Sequence, residues 1–335
     1  PAVTAATDGQ PFALTDMQRA YWMGRQPFFP LGGIAAHGYL EIEATEGGFD
    51  PARLEEALNA TIAVHSVLRV VLTPDGRQKV LAHVPRYGIS RANGPGEREK
   101  RRAEMQAEIL PAGEWPLFRI CLTGSEDSPD RFLHISFDIL LFDIASLALW
   151  LSQWQELYSG RRGHVSAPGR LFSQYISEVE AGKTGKAAAE HKTWWSGRAA
   201  AMPRAPQLPL ARQPREVTPP TILRMESFVE AKDWGLLKAH AAKTGVTPAG
   251  LFTAMLAVAL SRFSRKPEMT INLTLFDRSG ERARYDGVLG DFTSMLPVVV
   301  RTGGGQDFAA LCRAVYAEII QALSHAGTSG AEVNL

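Results

Sequence analysis

Two aspartates and a serine, Asp138, Asp143 and Ser146, stand in the pattern D-x4-D-x2-S within an otherwise apolar stretch from Phe137 to Leu147. A carboxylate in such surroundings must find a cationic or hydrogen-bonding partner, or hold its proton to a higher pH. A carboxyl that titrates near neutrality can give and take protons during a reaction. Ahead of the pattern, residues 131–137 alternate in the manner of a strand. Behind it, Leu147, Trp150, Leu151, Trp154, Leu157 and Tyr158 recur at helical spacing. The polar residues therefore occupy a strand-to-helix connection, where scaffolds often present chemistry. A local use competes with this one. Asp143 or Ser146 can cap the helix by accepting from its free N–H groups, and the segment taken alone favours capping.

A second polar group lies in Gly290-Asp291-Phe292-Thr293. Asp291 and Thr293 are two apart, so on an extended segment they share one side, and Gly290 gives the backbone freedom ahead of them. They can hydrogen-bond a substrate, or they can form an Asx turn at a loop end. Asn272 and Thr274 share one strand face by the same parity. His134 lies in the strand before Asp138 and reads as a satisfied strand histidine. Tyr21 and Trp22 read as core aromatics.

These groups need a scaffold, and the chain has material for one. It has 335 residues, 45% of them hydrophobic, enough for two domains or lobes. Helix-like and strand-like runs alternate, which predicts a mixed α/β class. Helices are expected over 14–22 after a Thr15 cap, from Asp50-Pro51 to 64, and over 98–110, 171–180, 187–195, 234–244, 247–263 and 308–323. Strands are expected over 37–44, 68–72, 115–122, 222–228, 270–275 and 295–300, with a turn at Pro74-Asp75-Gly76. Residues 1–11 read as a linker, 12–202 as a first lobe, the proline-dense 203–220 as the connection, and 221–335 as a second lobe.

Composition narrows the function. With 36 basic and 35 acidic residues, the net charge of +1 offers no electrostatic capture of nucleic acid or an anionic membrane. The basic cluster at 98–102 has an interleaved acid and reads as a solvated helix face. No apolar run reaches transmembrane length. Cys121 and Cys312 read as buried free thiols of a cytoplasmic protein. No zinc spacing, G-K-[ST] phosphate loop or G-x-S-x-G elbow occurs.

Taken in order, several segments resemble the heterocyclization domains of non-ribosomal peptide synthetases, variants of condensation domains. Residues 12–25, FALTDMQRAYWMGR, resemble the family's F-x-L-T-x-x-Q-x-A-Y-x-x-G-R. His65 to Arg69 resembles H-x-x-L-R. Asp138, Asp143 and Ser146 match the D-x4-D-x2-S that replaces the H-H-x3-D-G of ordinary condensation domains. Pro206 to Leu210 resembles the proline-rich linker, and Gly290 to Thr293 resembles G-D-F-T.

The resemblance implies a two-lobed, V-shaped α/β (α+β) pseudodimer of the chloramphenicol-acetyltransferase type, with carrier-bound substrates entering a tunnel from opposite faces. It implies that an upstream acyl or peptidyl thioester condenses with carrier-bound cysteine, serine or threonine, and that water loss closes a thiazoline or oxazoline. The alternatives are a condensation-only acyltransferase and a non-catalytic carrier-docking module. The implied partners are upstream and downstream peptidyl carrier domains and an adenylation domain. The 4'-phosphopantetheine arms belong to the carriers, and no cofactor is bound directly. Asp143 takes the position that pairs with an arginine, and Arg69 is the expected support of the motif. Asp138 steers the acceptor amine or supports the loop; Ile139 stands where ordinary condensation domains have a histidine. Asp291 and Thr293 are further candidates for catalysis, and Asn272 and Thr274 for the tunnel. Two more family motifs, carrying a threonine and an aspartate tied to cyclodehydration, do not occur before Leu335, so the second lobe is expected to be incomplete.

Overall fold

Strict alternation along residues 132–138 builds the centre of the first sheet. Leu133, Ile135 and Phe137 enter one apolar core, while His134, Ser136 and Asp138 point to the opposite face, as a period of two requires. The computed structural model describes residues 9–44, 48–124, 132–217, 223, 225–276, 278 and 280–326. Its contacts divide the chain into two compact units, Pro1–Val179 with Phe276–Thr293, and Glu180–Leu275 with Ser294–Leu335.

The first unit opens with α1 (Asp16–Gly24). Thr15 and Gln18 form a reciprocal capping box at its start. There follow β1 (His37–Glu43), α2 (Pro51–Val64) with Asp50 as its cap, a 3-10 turn at Ser66–Arg69, β2 (Val70–Leu72) and β3 (Gln78–Val80). Then come β4 (Ser90–Ala92), α3 (Glu97–Ala107), β5 (Phe118–Thr123), β6 (Phe132–Asp138), α4 (Ile144–Tyr158) and α5 (Phe172–Gly182). The sheet order is β1-β6-β5-β4, antiparallel except for the β4–β5 pair. Leu54, Leu58 and Ile62 of α2 and Leu147, Trp150 and Trp154 of α4 pack into the same core as the inward residues of β5 and β6.

On the other face of the sheet, His134 is fully buried. Its ring nitrogens meet the Tyr39 hydroxyl at 2.6 Å and Thr123 Oγ1 at 2.8 Å. Burial holds its pKa below the ordinary histidine value, as suits a structural imidazole. Helix α3 differs from the expected solvated face. Arg98 and Arg102 both reach Glu41 Oε1 of β1 at 2.7 Å, and Arg102 foremost holds that carboxyl down to about 2.

The second unit contains α6 (Lys186–Ala199), α7 (Ala231–Thr244), α8 (Pro248–Ser261), β7 (Glu268–Phe276), β8 (Thr293–Arg301) and α9 (Phe308–Leu323). Thr247 caps α8, with Pro248 at its first position. Its core joins Trp195, Leu251, Met269, Val298, Cys312 and Val315. The division of the chain falls at Val179–Glu180, ahead of residues 203–220, because Trp195 of α6 packs in this second core. Residues 276–293 return to the first unit because Val288, Leu289 and Phe292 pack there.

The expected strand over 222–228 is corrected. Ile222 and Arg224 lie outside the described residues, and the described remainder forms no strand. Leu223, Met225 and Phe228 are exposed, and no described strand pairs with them. The start of the 131–137 run, Arg131, and residues 1–8, 218–222 and 327–335 also lie outside the described residues. Both cysteines are buried free thiols, as expected. Among the described residues no single helix is long and apolar enough to cross a membrane.

Candidate functional site

The connection between β6 and α4 is short, and each polar residue in it has a definite job. Asp143 is the N-cap of α4 and accepts from the Ser146 N–H at 2.7 Å through Oδ1. Its Oδ2 accepts from the Phe292 N–H at 3.2 Å. Arg278 Nη2 lies 3.5 Å from Asp143 Oδ1 and donates to Ser146 Oγ at 2.6 Å. The Ser146 hydroxyl donates to the Gly290 carbonyl at 2.8 Å and accepts from the Gly290 N–H at 3.0 Å. A hydroxyl has one donor and two acceptor sites, so Ser146 is saturated and has no capacity left for a nucleophile's work. The Asp143 N–H also donates to the Gly290 carbonyl, at 3.1 Å.

The last two members of D-x4-D-x2-S therefore fasten Gly290–Phe292 to the start of α4. Gly290 is needed there, because a Cβ would run into the Phe172 ring. Phe172 is itself buried against Tyr175 and Phe292 and has little room to yield. Gly290→Ala is expected to cost about 1–3 kcal/mol, read as a lowered midpoint in urea unfolding.

Asp138 ties in a different element. Its Oδ1 accepts from the Leu140 N–H at 3.0 Å, and its Oδ2 pairs with Arg25 at the end of α1. Arg25 also donates to the Leu110 carbonyl. One stripe of α1 thus holds the connection, since Gln18 Nε2 donates to the Leu140 carbonyl at 2.7 Å. Burial pushes the Asp138 carboxyl up, and Arg25 and the Leu140 N–H oppose that push.

The expected partner of Asp143 is corrected. Arg69 does not reach it. Its guanidinium donates to the Ala63 carbonyl at 2.9 Å, to the Leu81 carbonyl at 3.2 Å, and to the Ile62 carbonyl. Arg69 ends the 3-10 turn that follows α2, and the free carbonyls of a helix's last turn are the nearest acceptors for a cation. The arginine that Asp143 uses is Arg278. Arg69→Met is expected to destabilise the first unit by about 1–3 kcal/mol, measured by urea unfolding.

Of the carboxyls in these motifs, Asp291 is the one left with free capacity. It is fully buried. Its Oδ1 accepts from the Thr293 N–H at 3.1 Å, the expected Asx-type turn. Its Oδ2 is buried with no hydrogen-bond partner. Burial raises the carboxyl to about 7; the Thr293 hydroxyl and N–H pull it down, and the negative charge of Asp143 pushes it further up. A carboxyl poised near neutrality is suited to proton transfer.

In the second unit, Asn272 and Thr274 are together on the exposed side of β7, while Ile271, Leu273 and Leu275 turn to the core. The parity expectation for β7 holds. Sequence reasoning missed two residues, Arg25 and Arg278. Arg25 stands in the opening segment FALTDMQRAYWMGR, seven residues after Gln18, and that helical spacing is the signal. Arg278 stands directly after the 270–276 strand and carries no local signal.

Residues 10–332 match the sequence family described as Condensation domain. Pyochelin synthetase PchF of Pseudomonas aeruginosa is 30% identical over 332 residues, covering 97% of this chain and 18% of the relative. Phenyloxazoline synthase MbtB of Mycobacterium bovis is 30% identical over 335 residues, covering 97% of this chain and 23% of the relative. The chain therefore spans about a fifth of the length of these relatives. Among solved structures, the EpoB cyclization-docking bidomain of a non-ribosomal peptide synthetase from Sorangium cellulosum superposes with a TM-score of 0.88 at 27% identity. That match covers 99% of this chain and 69% of that one.

Proposed function

Because this chain belongs to the condensation-domain family, we propose that it is a heterocyclization domain of a non-ribosomal peptide synthetase. It joins an upstream acyl or peptidyl thioester to the amine of carrier-bound cysteine, serine or threonine. The side-chain thiol or hydroxyl then adds to the new amide, and water loss gives a thiazoline or oxazoline. The partners are an upstream and a downstream peptidyl carrier domain, each presenting its substrate on a 4'-phosphopantetheine arm, with a neighbouring adenylation domain. The setting is cytoplasmic. The cyclization domain and the phenyloxazoline synthase among its relatives support this reading.

The observation that carries it is the carboxyl of Asp291, buried, with one free oxygen and a pKa of about 7. Amine attack on a thioester needs position more than a strong base. Expelling a hydroxyl needs an acid, and Asp291 is that proton source. Thr293 holds its other oxygen. Asp143 and Ser146 act by fastening the Asp291 segment, and Asp138 by fixing α1 through Arg25. Asn272 and Thr274, on the exposed side of β7, are the second unit's candidates for holding substrate.

Intact-mass measurement of the downstream carrier tests the assignment. The mixture contains acyl-loaded upstream carrier, cysteinyl-loaded downstream carrier and the full chain. Condensed product less one water is the expected mass. Condensed product without water loss would make the chain a plain condensation domain, and retained carrier binding without transfer would make it a docking module.

A further inference from the structure

At one corner of the second unit the chain collects exposed cations that have no counter-charge among the described residues. Residues 203–208 run beside the link between α8 and β7. The Thr270 N–H donates to the Arg204 carbonyl at 3.2 Å, and its hydroxyl to the Pro203 carbonyl at 2.6 Å. The Arg265 N–H donates to the Gln207 carbonyl at 3.3 Å. Ser264 Oγ accepts from the Gln207 N–H at 3.1 Å and from the Lys266 N–H at 3.4 Å, which pins the corner. Pro203, Pro206, Pro209 and Pro267 restrict the same backbone. Arg204, Arg262, Arg265 and Lys266 are brought together there, all exposed, and among the described residues none of them makes an ion pair. The carboxylate next to them, Glu268, is taken by Arg301 at 3.7 Å. Elsewhere the chain pairs its clustered cations. Arg98, Arg101 and Arg102 of α3 and Arg198 of α6 each reach a carboxylate. Phe263 stands between Arg262 and Arg265 in the chain and is 69% exposed, and Leu208 and Leu210 are exposed on the adjoining run.

We propose that this corner is a docking surface for an acidic protein partner, a surface of aspartates and glutamates around an apolar residue, carried by another domain of the same synthetase. The proposal rests on the synthetase reading given above. Like charges held together repel, and an anionic partner relieves that repulsion. Apolar side chains among charged ones are the anatomy of a protein interface, an apolar centre within a polar rim. A net charge of +1 gives the chain no long-range attraction for a polyanion, so local recognition of protein carboxylates is the use that fits. Arginine predominates in the corner, and its planar fork matches a carboxylate through two hydrogen bonds. The prolines hold the backbone ready, so little freedom is lost on docking. The relatives carry this region as about a fifth of a longer polypeptide. A partner tethered in that way has a high effective concentration, and a patch of this size is then enough.

The triple variant Arg262→Glu, Arg265→Glu, Lys266→Glu reverses the charge at exposed positions. Lys232→Glu, Lys238→Glu, Lys243→Glu makes the same change in net charge on the exposed side of α7 and is the control. The full chain and both variants are titrated with separately produced upstream carrier, downstream carrier and adenylation domain, at about 50 and about 300 mM salt, with melting temperatures recorded. The expected result is that one of these domains binds the wild-type chain, and that binding weakens about tenfold or more in the reversed chain and at the higher salt. The control should stay within about twofold of wild type, and Phe263→Ser should weaken binding at an unchanged melting temperature. Exchanging carboxylates of the bound domain for lysine should restore its binding to the reversed chain. Binding of the reversed chain within about twofold of wild type overturns the proposal, as does a wild-type chain that binds none of the domains. Binding of the wild-type chain to a DNA oligonucleotide or a phosphatidylserine vesicle, lost on charge reversal, also overturns it and assigns the corner to a polyanion. A wild-type chain that forms no amide product between loaded carriers fails the heterocyclization reading instead, and the titration, which needs no turnover, reads the docking surface apart from that result.

Discussion

Asp291→Asn is expected to lower the yield of cyclised product by about 10²–10⁴-fold, the range for loss of a general acid, and to leave a protein that is more stable than wild type at pH 8. The two effects share one cause. The carboxyl is buried and its Oδ2 has no partner, so the native state prefers it protonated, with a pKa of about 7 against an ordinary value of 3.8. Between those pH values the folded chain binds more protons at this site than the unfolded chain does. Stability therefore declines as pH rises through that window, and above about 7 the charged carboxylate carries the full cost of burial. The shift corresponds to a difference on the order of 4 kcal/mol. Asparagine keeps an acceptor for the Thr293 N–H and never ionises. Urea unfolding of both proteins at pH 4.5 and pH 8 should show the variant's advantage growing with pH. A constant difference across that range would mean that Asp291 is not held protonated by the fold.

Asp143→Ala is expected to destabilise the first unit by about 3–5 kcal/mol, the cost of leaving a buried charge without its partner. The carboxylate caps α4, accepts from Phe292 and lies 3.5 Å from Arg278, and its side chain is inaccessible. Removing it leaves Arg278 facing the Ser146 hydroxyl and the Tyr285 and Val288 carbonyls with no counter-charge. Arg278→Met alone should also destabilise, since it strands Asp143 instead. The double variant should lose less than the sum of the two, with a coupling of about 0.5–3 kcal/mol in a double-mutant cycle. Additive losses would show that the pair does not interact. A chemical role for Asp143 would predict the opposite pattern, a loss of turnover at unchanged unfolding midpoint.

The Arg69 and Arg278 outcomes show what kind of information a sequence carries. The H-x-x-L-R segment was legible, and its arginine is buried and structural. Its target was not legible, because a guanidinium bonds whichever acceptors the chain brings near it. For Arg69 those are the carbonyls that end α2, close in sequence. For Arg278 they lie 132 and 135 residues away, in Ser146 and Asp143. With 36 lysines and arginines in the chain, spacing gives no ground for choosing the one that serves. The basic run over 98–102 makes the same point. Its helical periodicity was correct, but Arg98 and Arg102 turn to Glu41 because α3 packs against β1 and β6 of the sheet.

By itself the sequence determined the features that depend on neighbours along the chain. The Thr15, Asp50 and Thr247 caps, the inward residues of β6, the face of β7 shared by Asn272 and Thr274, and the apolar stripe of α4 follow from side-chain periods and from N–H groups left free at helix starts. The order of its motifs also marked the condensation-domain family. Tertiary structure alone decided which polar groups are used up and which remain free. Asp138, Asp143, Ser146 and Asp291 are all buried, and composition does not distinguish them. The first three are satisfied by Arg25, Arg278, Gly290 and backbone N–H groups brought in from distant segments. Asp291 keeps one oxygen without a partner. A buried carboxyl's proton affinity is set by what surrounds it in space, and that environment exists only once the chain has folded.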